Sequence, residues 1–265
     1  MDLEELGQSL SGRTKTIGRE IIFRNSVSST NTIAIESADK LPEGTVIFAG
    51  SQTSGRGRRG RTWLSPPGKN LYMSIILRPD ILLRDAPILT LMASVACAFA
   101  LQRATSLPVS IKWPNDLMIS GRKVGGLLSE TKPAADRIAY AVIGIGINVN
   151  MDIQELPEEI RRVSTSIHHE SGEKRSVTEI ALEILAETDN WYETLLKTGP
   201  APIIAAWIKL SSTIGMEVKV TMEDSEIRGT AEGIDDAGLL MLRLPDGSVK
   251  KISAGDVIHL RNSKG

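Results

Sequence analysis

Cysteine is almost missing: Cys97 is the only one in 265 residues, so an intrachain disulfide is excluded and a reducing, cytoplasmic compartment fits best. Histidine is scarce too. His168, His169 and His259 are the full set, and their spacing offers no metal-ligand pattern. Surplus charge is lacking as well. Lys and Arg number 31 against 32 Asp and Glu, which argues against binding nucleic acid or membranes through bulk electrostatics. The N-terminal "MDLEELGQSL" has no apolar h-region, and the one long apolar run, "ILTLMASVACAFAL", follows Pro87 and carries Thr90 and Ser94. These stretches read as neither a signal peptide nor a membrane span, and Cys97 reads as a small buried helix residue. The sequence contains no G-x-S-x-G elbow, P-loop lysine pattern, internal repeat or low-complexity tract.

What is present is ordinary globular chemistry, enough for one large domain or a large one with a small companion. After a polar leader over residues 1–20, "REIIFRNSV" reads as a short strand and "SSTNTIAIESADKL" as a helix with hydroxyls placed to cap it. "GTVIFAGSQ" and "NLYMSIILRP" read as strands, and from Ala86 to Thr105 the apolar residues nearly encircle a helix axis, as in a core helix. "VSIKW", "KVGGLLSET" and "IAYAVIGIGINVN" predict three more strands, with turn chemistry in "PNDLMISGR". "SVTEIALEILAETDNWYETLL" and "APIIAAWIKL" predict helices that close a domain over residues 21–212. Beyond Ser212 short alternating segments and "DG" turns predict a small antiparallel barrel over 213–265, packed on the larger domain. The fold class is α+β.

Three stretches carry chemistry. "SGRGRRGRTW", residues 54–63, packs four arginines and three glycines into ten positions between two strands. Guanidinium forks bind phosphate or carboxylate oxygens, and glycines let a backbone close over a ligand. Without a ligand such a loop repels itself and moves, so its ordering on binding would shut out water. In "IKWPNDLMISGRKVGGLLSE", Pro114 ends a strand and exposes Asn115 and Asp116 at a turn. Lys112, Asp116 and Lys123 can converge across the following hairpin, and Gly125-Gly126 would let a ligand lie against the next strand. "GIGINVN", residues 144–150, alternates glycine with isoleucine on a strand, which strips one face to admit a flat ligand, with Asn148 as a polar contact.

In order and spacing, "SSTN", "GRGRRGRTW", "KWPNDL", "GRKVGGLLSE" and "GIGINVN" resemble the biotin protein ligases, over roughly residues 20–260. The resemblance implies a catalytic domain related to class II aminoacyl-tRNA synthetases, followed by an SH3-like barrel. It implies two steps: the carboxylate of biotin attacks the α-phosphate of ATP, with Mg²⁺ shielding the phosphates, and a lysine of a biotin carboxyl carrier protein then displaces AMP. Two anions must meet, so fixed positive charge at the α-phosphate is needed, and Arg58 and Lys123 are assigned to it. By the same resemblance Ser29, Thr30, Asn31, Gln52, Arg56 and Gly57, with Arg58 and Lys123, line the biotin site. Their mixed donors and acceptors suit a ureido ring. Trp63, Asn115 and Asn148 match the adenine side, and Asp116 either helps hold Mg²⁺ or orients Lys123.

Some members of that family carry an N-terminal DNA-binding winged helix needing about 60 residues before the "STN" stretch, whereas 28 precede Ser29 here. DNA binding and repression are therefore not expected. A lipoate protein ligase is the nearest rival, but a dithiolane would leave the polar set around Ser29, Thr30 and Gln52 little to bind. A nucleic-acid-binding module using the Arg/Gly loop would leave Lys123 and the Gly144-Gly146 strand unexplained. The resemblance covers monomers and homodimers alike.

Overall fold

A computed structural model of the protein describes residues 3–222, 225–253 and 255–260. Its main sheet contains β1 (Ile21–Arg24), β2 (Val46–Ala49), β3 (Leu71–Leu77), β4 (Ser110–Lys112), β5 (Asp116–Ile119), β6 (Arg122–Ala134) and β7 (Arg137–Ile147). The spatial order is β1-β2-β3-β7-β6-β5-β4, with β1 and β2 parallel and every other pair antiparallel. The helices are α1 (Leu3–Leu10), α2 (Thr30–Ser37), α3 (Pro87–Thr105), α4 (Glu158–Arg161), α5 (Ile167–Ser171), α6 (Val177–Thr198) and α7 (Ala201–Leu210). A second, antiparallel sheet holds β8 (Glu217–Thr221), β9 (Glu226–Ile234), β10 (Leu240–Arg243), β11 (Val249–Ile252) and β12 (Asp256–His259), in the order β11-β10-β9-β8-β12. The fold is a mixed α+β one.

Period-two alternation decides which side of the main sheet each residue serves. From β7, Ile143, Ile145 and Ile147 join Leu71, Met73 and Ile75 of β3 in the principal core beneath α3, α6 and α7. Their neighbours Tyr140 and Val142 face the other way and pack with Ile47, Ile76, Ala34 and Ala38 under α2. Because α2 is short, it covers only part of that second face. The stretch left uncovered is where the glycines of β6 and β7 lie.

Helix α3 is apolar all round because its neighbours surround it, and burial holds the Cys97 thiol well above its ordinary pKa. The segment Leu83–Thr105 is long and apolar enough to cross a membrane, yet 67% of its most apolar window is buried inside the fold. In α6 the residues Ile180, Ala181, Ile184, Leu185, Tyr192 and Leu195 form one buried stripe, and the Ser176 side chain caps the helix by accepting the Glu179 N–H. Each large side chain so buried is worth about 1.5–3 kcal/mol.

Two expectations change. The described part of the leader, from residue 3 on, is not simply polar: Leu6, Leu10 and Ile17 are at most 2% exposed. Buried Asp189 of α6 accepts the backbone N–H groups of Lys15, Thr16 and Ile17 at 2.7–2.8 Å. The i, i+4 pair Leu6 and Leu10 supplies one apolar helix face, and a carboxylate more than 170 residues away ties down the chain after it. The second change is that "PNDLMISGR" holds a strand, β5, as well as a turn. Leu117, Met118 and Ile119 are buried, and the reversal falls on Ser120 and Gly121, both at positive φ.

The second sheet shares the main core. Val218, Val220, Ala231, Leu240, Leu242, Ile252 and Val257 point inward and belong to the same cluster as α3 and β7. Polar links accompany this: the Trp113 backbone N–H donates to Thr213 Oγ1 at 3.0 Å, and the Trp113 indole N–H lies 3.5 Å from the Gly238 carbonyl. The β8–β12 edge is thereby held against the mouth of the cleft.

Candidate active site

A cleft of about 360 Å³ opens on the uncovered face, lined by α2, the Arg/Gly loop, the Trp113–Asp116 turn, β6, β7 and the β8–β12 edge. Its floor is the stripped face the sequence predicts. Gly126 and Gly146 are register partners on β6 and β7, and Gly144 lies two residues along. A Cβ on Gly144 would sit 2.1 Å from Asn31 Oδ1, and one on Gly146 would sit 2.6 Å from the Trp63 indole nitrogen. Backbone, not side chain, must therefore form this surface.

One end of the cleft is a network of neutral donors and acceptors. Gln52 Oε1 accepts the Thr30 backbone N–H at 2.8 Å, so Gln52 satisfies the first turn of α2 from a distance. Ser29 occupies the N-cap position but makes no side-chain cap bond, unlike the capping role expected of these hydroxyls. Fully buried Ser74 of β3 lies 2.6 Å from Asn31 Oδ1 and 2.8 Å from Thr30 Oγ1. An amide oxygen only accepts, so the Ser74 proton goes to Asn31. The Asn31 amide in turn donates to the Leu128 carbonyl and to Glu130 Oε2 at 2.9 Å. Glu130 also receives Arg56 in a two-pronged pair at 2.8 and 3.1 Å.

The other end is cationic. Lys123 Nζ is 2.5 Å from Asp116 Oδ1 and 5.3 Å from the centroid of Trp63. Arg58 Nη1 donates at 3.3 Å to Asn115 Oδ1 and at 3.3 Å to the Gly255 carbonyl. Burial pulls the Arg58 guanidinium below its ordinary pKa, with Asp256 and Asp116 acting against it. Burial lowers Lys112 likewise, countered chiefly by Asp116, its register partner across β4 and β5. Six cations, Arg56, Arg58, Arg59, Arg61, Lys112 and Lys123, thus gather around three carboxylates, Asp116, Glu130 and Asp256. The surplus suits a polyanion.

The structure places Ser29, Thr30, Asn31, Gln52, Arg56, Gly57, Arg58, Trp63, Asn115, Asp116 and Lys123 in the cleft lining. Asn148 stands apart. It is buried beyond the end of β7, its amide donating to the Thr165 carbonyl at 3.0 Å. The guanidiniums of the Arg/Gly loop meet Glu130, Asp256 and carbonyl groups from elsewhere in the chain. Four contributors went unassigned in the sequence: Ser65, which accepts from Gln52 Nε2 at 2.8 Å, Ser74, Glu130 and Asp256. Ser74 has a signal, a lone hydroxyl inside the apolar run "LYMSIIL".

Residues 23–148 match the Biotin/lipoate A/B protein ligase family and residues 213–260 match the Biotin protein ligase C terminal domain. Fold and cleft together therefore define a ligase of the biotin and lipoate class. The chain is 38% identical to the bifunctional ligase/repressor BirA of Bacillus subtilis, across 92% of this chain and 75% of that protein. It is 33% identical to the biotin--[acetyl-CoA-carboxylase] ligase of Paracoccus denitrificans, across 83% of this chain and 92% of the relative. Its fold superposes on the biotin protein ligase from Aquifex aeolicus in complex with biotin and ATP with a TM-score of 0.78 at 31% identity, covering 92% of this chain and 99% of that one. The chain belongs to the biotin protein ligases.

Proposed function

We infer that this chain joins biotin to a carrier-protein lysine in two ATP-dependent steps. The observation that carries the reading is the division of one cleft into a neutral polar pocket and a cationic end. The pocket around Ser29, Thr30, Asn31 and Gln52 offers donors and acceptors to a ureido ring, whose carbonyl and N–H groups are costly to bury unpaired. Arg58 and Lys123 stand at the cationic end, where a carboxylate and an α-phosphate would repel each other without them. Holding both substrates in one cleft turns a bimolecular encounter into a near-unimolecular one. Asp116, 2.5 Å from Lys123, fixes the ammonium in place. Biotinyl-5'-AMP and pyrophosphate are the products of the first step. In the second, a neutral lysine amine of a biotin carboxyl carrier protein attacks the acyl carbon, and AMP leaves.

Mg²⁺ enters with the nucleotide in this reading. The donor set fits a cation carried by phosphates, because the described residues contain no group of three His, Cys, Asp or Glu able to hold one. Asp116, a cleft carboxylate beside Lys123, would touch such an ion, which would supply charge shielding on the phosphates. Trp63 and Asn115 form the adenine side, and Asn148 backs it by anchoring the Thr165 segment. The larger domain, over 21–212, is class II synthetase-like, and the smaller, expected over 213–265 with 261–265 outside the described residues, is an SH3-like barrel. Their support is the seven-stranded mixed sheet and the five-stranded antiparallel one.

Biotin-dependent exchange of labelled pyrophosphate into ATP tests the first step. Exchange with biotin and none with lipoate is the expected result. Equal exchange with lipoate would reverse the reading toward the lipoate ligases, for which the ureido-matched pocket gives no reason.

A further inference from the structure

The backbone of Lys123 lies at an irregularity of the main sheet. Met118 pairs with Lys123 but Leu117 with Gly125, so Val124 is an extra residue on β6, a bulge that bends the strand. The ladder to β7 begins only at Gly125, opposite Ile147. On that side Lys123 is held instead by residues 163–165, between α4 and α5. Its N–H donates to the Val163 carbonyl and its carbonyl accepts the Thr165 N–H, both at 2.8 Å. From α5, Glu170 reaches both partners of this crossing. Its Oε1 accepts from Thr165 Oγ1 at 2.5 Å and from Arg122 Nη2 at 2.8 Å, and its Oε2 accepts from Ser120 Oγ at 3.0 Å. Arg122 is the residue before Lys123, and Ser120, at positive φ, turns the hairpin that leads into it.

We propose that Glu170 is a positioning residue for Lys123: one carboxylate on α5 locks together the two segments that meet at the lysine backbone and so sets where its ammonium stands in the cleft. An ammonium ends a long flexible stem, so its place depends on what holds its tip and what fixes its root. Asp116 holds the tip. The root lacks the β7 ladder that steadies Gly125 and the residues after it, and the Glu170 bonds take that part. The Glu170 side chain is 10% exposed, which limits solvent screening of its pair with Arg122. Burial works to raise its pKa, but the bonds from Thr165, Ser120 and Arg122 hold it below the ordinary value, so the carboxylate stays charged and accepts from all three. Glu170 is not part of the cleft lining, and its effect on the reaction passes through Lys123. Misplacing a reacting group by about 1 Å can cost about 100-fold in rate. This proposal rests on the ATP-dependent reading above for its rate consequence, and on geometry alone for the placement.

The test uses the full chain and two readouts. In pyrophosphate exchange, Glu170→Gln, equal in size but neutral, should lower kcat about ten-fold while the KM for biotin changes by less than about two-fold, the signature of an interaction felt in the transition state. A double-mutant cycle separates positioning from general support of the fold: added to Lys123→Gln, Glu170→Gln should cost less than about two-fold further, because there is no ammonium left to place. Arg122→Met removes the same ion pair from the other side, and carries the same cycle should Glu170→Gln fail to fold. The second readout needs no substrate. Competitive acetylation with acetic anhydride, read by mass spectrometry against exposed Lys250, should label Lys123 about three-fold faster in either variant, since an ammonium that drifts from Asp116 gives up its proton more readily. Undiminished exchange in the single variants would overturn the proposal. So would a loss that persists in the Lys123→Gln background, or Lys123 labelling unchanged in both variants. If labelling responds while the unmodified protein shows no biotin-dependent exchange, the functional reading falls and the positioning stands.

Discussion

On one face of β7, Ile143 and Ile147 are fully buried against the helices; on the other, Gly144 and Gly146 leave only backbone beneath Asn31 and Trp63. The residues alternate along a single strand and share the same hydrogen-bonded ladders to β3 and β6. What differs is what each face is asked to exclude. The isoleucine face removes water from side chains and contributes stability. The glycine face contributes a smooth wall that cannot be occupied from below, so that the cleft stays open to a ligand. A single strand can serve both ends only because its side-chain period is two.

Substitutions on the two faces should therefore separate activity from stability. The largest effect is expected at Lys123, on the cleft side: Lys123→Gln should lower the rate of pyrophosphate exchange by about 100-fold or more, the range for removing one electrostatic stabiliser of a transition state, with little change in urea midpoint. A drop in the midpoint with activity intact would erase the distinction. Ile143→Ala, on the core side, should do the reverse, costing about 2–4 kcal/mol of stability by urea denaturation, while the KM for biotin in the surviving folded protein stays unchanged.

Gly144→Ala sharpens the contrast at a single methyl group. With Asn31 Oδ1 only 2.1 Å from the new Cβ, the Asn31 side chain must leave Ser74 and Glu130. Biotin binding by titration calorimetry should weaken by about ten-fold, given that one buried polar group loses partners worth about 1–3 kcal/mol; unaltered affinity would remove Asn31 from the pocket. The smallest effect lies away from both faces, at His259. Burial first, and Lys112 second, lower its pKa below the ordinary 6.5. The unfolded chain then takes up the proton at a higher pH than the folded one, so this contribution is complete above the unfolded value and is lost as pH falls through the folded one. Urea midpoints measured from about pH 7.5 to about 5.5 should decline more steeply for the unmodified protein than for His259→Gln. Parallel declines would assign the slope to other groups.

How much of this was legible in the residues depends on distance along the chain. The glycine–isoleucine alternation, the Arg/Gly loop and the Lys112, Asp116 and Lys123 convergence are local patterns, and the structure assembles them in one cleft. Glu130 and Asp256 were invisible for the opposite reason. Each acts on loop arginines 74 or 195 residues away, and nothing in the composition of β6 or β12 marks either one. The leader misled in the same way, since its anchor, Asp189, sits on α6. Ser29 shows a subtler failure: a cap hydroxyl was expected to serve its own helix, but Gln52 takes that part.

The cleft these two faces create is where the first chemical step must occur. Incubating the protein with biotin, ATP and Mg²⁺ and weighing the intact complex under non-denaturing conditions tests it most directly. A mass increase equal to one biotinyl-5'-AMP, with one pyrophosphate released per chain and both appearing about 100-fold more slowly when Lys123 is replaced by Gln, is the predicted result. Bound ATP and biotin side by side, without pyrophosphate, would contradict it.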